Sequence, residues 1–151
     1  MENKPICEID KYGNKTWYLN GQFHREDGPA IEYYNGTNHW YINGLLHRKD
    51  GPAVEYTDGT KRWYLNGQRH RENGAASENN IGDKEWYLNG KLHRLDGPAI
   101  IWADGVKEWC VNDIEITGKI TQWADENDID LDNLSDDDKL LIKLVWADYG
   151  K

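Results

Sequence analysis

The sequence predicts a mainly β fold, an elongated antiparallel meander of repeated hairpins capped by a short C-terminal α-helical segment. Three observations predict it. Trp17, Trp40, Trp63, Trp86 and Trp109 recur at a constant interval of 23 residues. The 151 residues hold 15 Gly, eight Trp and nine Tyr but one Phe and one Met, a balance that suits tight turns and aromatic strands. Helical periodicity and acidic helix-start signals arise only after the last of those tryptophans. The division expected is a repeat array over residues 1–113 and an acidic helical cap over 114–151.

Within each period the landmarks keep their order. The dipeptides Asn20-Gly21, Asn43-Gly44, Asn66-Gly67 and Asn89-Gly90 follow the tryptophans, then come His24-Arg25, His47-Arg48, His70-Arg71 and His93-Arg94. Asp27-Gly28-Pro29-Ala30 follows, with partners at Asp50 and Asp96, and a further glycine column runs through Gly13, Gly36, Gly59, Gly82 and Gly105. Two strands per unit are expected, one ending in Trp-Tyr-x-Asn-Gly and one beginning at Pro-Ala. Asn35-Gly36, Asp58-Gly59 and Asp104-Gly105 are expected to close two-residue hairpins, because both residue types tolerate positive φ.

Period-two alternation puts Trp40 and Ile42 on one face and Tyr41 on the other, and Val54 and Tyr56 opposite Glu55. The segment after Asn43-Gly44, with Leu45 and Leu46, is expected to fold back over the apolar stripe. With strands about 4.8 Å apart, each unit advances roughly 10 Å and the array about 45 Å.

After Trp109 the motif decays to Val111-Asn112-Asp113-Ile114 without a His-Arg pair, as a capping unit would. A first helix starts at Thr117 or Thr121 and runs through Trp123 and Ala124. Ser135 is the N-cap of a second, with Asp136, Asp137 and Asp138 in its first turn and Gly150 as its stop. Leu140, Leu141, Leu144 and Val145 form one apolar face, expected to pack on the last hairpin.

The formal charge of −9 divides unequally: residues 1–110 carry 14 Lys and Arg against 16 Asp and Glu, and residues 111–151 carry 4 against 11. Such acidity repels duplex nucleic acid and anionic membranes and favours a partner protein with a basic surface. No apolar run approaches a transmembrane span and no hydrophobic signal region opens the chain, so a cytoplasmic location is expected. Cys7 and Cys110 lie far apart and read as ordinary thiols rather than a disulfide or zinc pair.

The motif Trp40-Tyr41-x-Asn43-Gly44-x-x-His47, with the repeated glycines Gly36 and Gly51, resembles a divergent MORN-type repeat, closest to the variant of tailed-phage and giant-virus proteins. The likeness covers roughly residues 12–113. Arg25, Arg48, Arg71 and Arg94 stand where the usual motif has Gly. The resemblance implies a meander sheet serving as a scaffold or binding surface; its viral flavour, with the Tyr-rich surface and the acidic tail, points to a phage-encoded module that binds a host or viral protein, such as a host defence factor, in the host cytoplasm.

Two readings of the His-Arg column stand side by side. His24, His47, His70, His93 and their arginines bind phosphates or carboxylates, with Tyr18, Tyr41, Tyr64 and Tyr87 beside them, or they bond the loop Asp of each unit and hold the fold. The structural reading is favoured, since arrays reuse fold-determining residues in every copy. The third unit keeps His70-Arg71 although Asn73-Gly74-Ala75-Ala76 replaces Asp-Gly-Pro-Ala. His39, outside the column, is read as a solvent-facing strand residue.

No phosphate loop, nucleophile elbow or metal cluster is found, so no cofactor, no metal and no enzymatic activity are expected. Asp128-x-Asp130-x-Asp132 departs from a calcium loop at Asn133 and Lys139. The acidic tail reads first as a solvated linker with helix N-terminal acids, and beside that Asp125, Asp128, Asp130, Asp136 and Asp137 are candidate partner contacts. The leading function is a non-enzymatic protein-interaction module. A sponge for a cyclic nucleotide or other phosphate ligand, and a structural scaffold, are the alternatives, and the oligomeric state is left open.

Overall fold

A computed structural model describes residues 4–149. They form nineteen short strands and two helices. Eleven strands make one antiparallel sheet in which neighbours along the path follow in chain order, the meander that the repeat implies. The other eight form four separate two-stranded sheets, at Tyr41–Ile42 with Leu45–Leu46, Tyr64–Leu65 with Gln68–Arg69, Tyr87–Leu88 with Lys91–Leu92, and Cys110–Val111 with Ile114–Glu115.

Each unit therefore has four strands, not the two expected. The second unit runs Ile31–Glu32, Asn38–His39, Tyr41–Ile42 and Leu45–Leu46. The chain breaks at Trp40 because that residue joins two ladders. Its N–H donates to the Ala53 carbonyl at 2.8 Å on the central-sheet side, and its carbonyl accepts the His47 N–H at 3.0 Å on the side-hairpin side. Leu45 and Leu46 do not fold back over a stripe; they pair with Ile42 and Tyr41, and Leu45 is exposed. Pro29, Pro52 and Pro98 precede the strands at Ile31, Val54 and Ile100 by two residues.

The turn chemistry is exchanged relative to expectation. Asn43 and Gly44 both take positive φ (50° and 76°) between the paired Ile42 and Leu45, a two-residue hairpin of the primed type. Asn35 does not: among residues 33–37 only Gly36 does, at 91°, while the Tyr33 N–H donates to the Thr37 carbonyl and the Gly36 N–H to the Tyr33 carbonyl. That is a three-residue loop ending in a left-handed glycine. Gly59, Gly82 and Gly105 repeat it.

The array is thin. Ala30, Ala53, Ala76 and Ala99 are wholly buried, flanked by Ile31, Val54, Ser77 and Ile100. The larger core lies at the C-terminal end, where Trp109, Val111, Ile116, Ile120, Ile142 and Trp146 pack together. Its helices are α1 (Thr117–Glu126) and α2 (Asp136–Trp146). α1 starts at the first of the two candidate threonines, but its N-cap is Ile116, without a side-chain bond. Ser135 caps α2 in a full capping box with Asp138, as the sequence indicates. The proposed stop, Gly150, lies outside the described residues.

Thr117 instead closes the array. Trp17, Trp40, Trp63 and Trp86 donate their backbone N–H to the alanine of the following unit, and Trp109, with no unit after it, donates to the Thr117 hydroxyl at 2.9 Å. The degenerate final motif still makes a hairpin, with Asn112 and Asp113 both at positive φ.

The packing face of α2 is the reverse of the expected one. Ile142 and Trp146 are buried, whereas Leu140, Leu141, Leu144 and Val145 are 57, 41, 72 and 47% exposed. Both faces of this helix are apolar, and the bulkier Trp146 takes the core. Among the described residues no helix is long and apolar enough to cross a membrane. Cys7 and Cys110 are free thiols, and burial pushes the Cys110 pKa up.

Candidate functional site

The His-Arg column forms a built row along one side of the array. Each guanidinium lies over the indole of its own unit: Arg25 over Trp17, Arg48 over Trp40, Arg71 over Trp63 and Arg94 over Trp86, with Cζ at 3.9, 4.0, 3.9 and 4.2 Å from the ring centres. On its other side it crowds the glycine of the next turn. A Cβ on Gly28, Gly51, Gly74 or Gly97 would lie 2.8, 2.9, 2.9 or 2.7 Å from the Arg Cζ. The glycine column is thus dictated by the arginine, not by turn conformation, except at Gly74, where φ is also +146°.

The charges are met inside the row. Arg25, Arg48 and Arg71 donate to Glu32, Glu55 and Glu78 at 2.8–2.9 Å and to the carbonyls of Pro29, Pro52 and Ala75. Only Arg25 and Arg94 also bond the loop aspartates Asp27 and Asp96. The Arg25 bond holds the Asp27 carboxyl below the usual range. Burial works to raise Asp96, but Arg94 and Lys143 bring it down. Unit three dispenses with the Asp because Glu78 and the Ala75 carbonyl suffice.

The histidines bond asparagine rather than aspartate. Nδ1 of His24, His47, His70 and His93 accepts the backbone N–H of Asn43, Asn66, Asn89 and Asn112 in the next unit at 3.1–3.3 Å. The same nitrogens lie 2.9–3.1 Å from the side-chain oxygens of those asparagines. Each His therefore locks the primed turn of its neighbour.

The tyrosines stand on the opposite face, as alternation requires. Tyr18, Tyr41, Tyr64 and Tyr87 are half-buried, joined by Phe23 at 5.2 Å from both Tyr18 and Tyr41, and by Arg69, which lies over Tyr87 and bonds the Tyr64 hydroxyl and Glu85. They adjoin the His-Arg row through the backbone, where the carbonyls of Tyr41, Tyr64 and Tyr87 accept the N–H of Arg25, Arg48 and Arg71 at 3.1 Å. His39 belongs to this face and is not solvent-facing: Tyr33, Tyr41 and Tyr56 surround it with ring centres 5.2–6.3 Å away, and its Nε2 is buried without a partner. Burial pushes its pKa down.

Asp125, Asp128, Asp130, Asp136 and Asp137 are all exposed, and no contact draws them into one site. Asp136 pairs with Lys139, and nearby Asp132 pairs with Lys107 of the array at 2.6 Å. Sequence reasoning missed Glu32, Glu55 and Glu78, which share the 23-residue interval and were readable from it. It also missed the exposed stripe of α2. Compared with known proteins, the chain matches no family model and no curated protein sequence.

Proposed function

We propose that the chain is a non-enzymatic protein-interaction module whose partner offers an apolar surface edged by Lys and Arg. The observation that carries this is the α2 stripe. At about 100° per residue, Leu140, Leu141, Leu144 and Val145 fall within an arc of roughly 140° centred opposite Ile142 and Trp146. Four large apolar side chains exposed by 41–72% on one short helix mark a contact surface. Asp136 and Asp137 stand at its N-terminal end, and residues 111–151 carry 4 basic against 11 acidic side chains. Charge therefore selects a basic partner and steers its approach.

A phosphate sponge is disfavoured, because Arg25, Arg48, Arg71 and Arg94 already spend their charge on carboxylates and indoles. The kinship with MORN-type viral repeats, inferred from the motif alone, makes a bacterial host protein the first partner to test. In a pull-down from bacterial lysate, the wild-type chain captures a stoichiometric basic partner and Leu141→Glu/Leu144→Glu, with unchanged circular dichroism, does not. Capture that survives this double substitution removes the tail from the reading. A large homo-oligomer that the same variant dissociates replaces partner binding with self-assembly.

A further inference from the structure

The loops that carry the His-Arg pairs stand as walls between a file of clefts. The second cleft, of about 740 Å³, is floored by Trp40, Ile42 and His47 and walled by residues 25–28 on one side and 48–50 on the other. The construction recurs at Trp63 with Leu65 and at Trp86 with Leu88, with volumes of about 670 and 410 Å³, and at Trp17 with Leu19, about 570 Å³, where Lys4 and Pro5 replace the outer wall. Successive clefts share a wall. Helix α2 lines the fourth cleft through Lys143, and the stripe of Leu140, Leu141, Leu144 and Val145 is not part of any of the four linings.

We propose that this file is a groove for a polyproline II segment that seats one turn in each cleft and carries Lys or Arg between its prolines. Pitch selects the conformation. Two central-sheet strands separate successive clefts, about 9.6 Å. A polyproline II helix, with three residues per turn and about 3.1 Å rise, returns the same edge every ~9.3 Å. Over the three steps between four clefts the mismatch is about 1 Å. An α-helix returns its face after seven residues, ~10.5 Å, and drifts almost 3 Å over the same span. A β-strand repeats its face every ~6.8 Å and fits no integer step.

Chemistry selects the side chains. Half-buried indoles with an aliphatic neighbour form the apolar floor that proline rings fill, and a preformed polyproline helix loses little entropy on docking. Each floor also holds an imidazole whose Nδ1 meets the turn asparagine, and Nε2 of His24 and His70 faces the wall glutamates Glu26 and Glu72 at 3.6 and 3.9 Å. Rim charge sets the sign. With Arg25, Arg48 and Arg71 paired to glutamates, the exposed carboxylates Glu26, Asp50 and Glu72, one on each of the three shared walls, outweigh Lys49 there, while Lys4 and Lys143 line only the two outer clefts.

The test is calorimetry of the full chain with a peptide of four Pro-Pro-Lys triplets, against one of four Pro-Pro-Lys-Gly quartets with the same prolines and lysines. The triplet peptide binds at least about tenfold tighter, and halving it to two triplets costs at least about tenfold, since later clefts bind at high effective concentration. Leu65→Glu on a floor and Asp50→Lys/Glu72→Lys on the rim each weaken it by about tenfold or more. The rim side chains are exposed, so that double variant keeps its circular dichroism even where Leu65→Glu does not. Leu141→Glu/Leu144→Glu leaves peptide binding unchanged, which separates this groove from the tail surface. Equal affinity for triplets and quartets, affinity that survives the rim substitutions, or no heat at millimolar peptide overturns the proposal.

Discussion

Gly51 and Arg48 illustrate how one residue dictates another in this chain. The Arg48 guanidinium fills the space a Cβ on Gly51 would need, at 2.9 Å, while it stacks on Trp40 and bonds Glu55. Gly51→Ala displaces it and is expected to cost about 1–2 kcal/mol, a fall in Tm of several degrees for a chain of this length. Arg48→Ala carries a similar cost, and the double variant is no worse than Arg48→Ala alone, because the methyl then meets empty space. Thermal unfolding of the three variants measures that non-additivity, and additive losses would refute the stacking account. His39 has a different signature. Burial among Tyr33, Tyr41 and Tyr56 lowers its pKa, so the unfolded chain binds the proton more readily. Its neutral form supports the fold above the unfolded value of about 6.5, and that support is lost as pH falls from there through the folded value. A Tm series from pH 8 downward declines in that window, and His39→Phe flattens the decline.

At the scale of elements, legibility depended on whether a signal had one structural meaning. Ser135 with Asp138 has one, a capping box, and it reads correctly from sequence. Asn-Gly has two. Asn35-Gly36 and Asn43-Gly44 share the dipeptide, and only the second is a two-residue turn, because its flanking Ile42 and Leu45 pair directly. The His-Arg column was legible as a structural feature, but its partners were assigned to the loop Asp when Glu32, Glu55, Glu78 and the turn asparagines take most of the bonds. The α2 face could not be decided from periodicity, since Leu140, Leu144, Ile142 and Trp146 give it apolar residues on both sides. The array's closure was invisible for a related reason: Thr117 looks like a helix start, and its hydroxyl accepts the Trp109 N–H. Thr117→Val keeps the shape and strands that N–H beside a buried indole, so it is expected to destabilise by about 1–3 kcal/mol. Urea unfolding checks this. Thr117→Ser retains the acceptor and is expected to stay within about 1 kcal/mol of wild type.

Across the whole molecule, neighbouring units meet through one interface used again and again. Trp40 donates to Ala53 as Trp63 does to Ala76, Arg48 N–H meets the Tyr64 carbonyl as Arg71 N–H meets that of Tyr87, and His47 holds Asn66 as His70 holds Asn89. Stability in such an array is close to a sum over units and their contacts. Deleting residues 47–69, one full period, joins Leu46 to His70 and recreates the link that Leu46 makes to His47. The shortened chain is expected to unfold in one cooperative transition, with the C-terminal core of Trp109, Ile120 and Ile142 intact and a urea m-value lower in proportion to the buried surface removed. Deleting residues 47–68 instead leaves one extra residue before His70, and a one-residue slip turns every following strand over. That variant is expected to lose cooperativity in the array, because Arg71 no longer reaches Trp63's equivalent and the alanine column faces outward. Circular dichroism and urea titration of the two deletions decide the matter: if both fold equally well, the units are not interchangeable parts joined in fixed register.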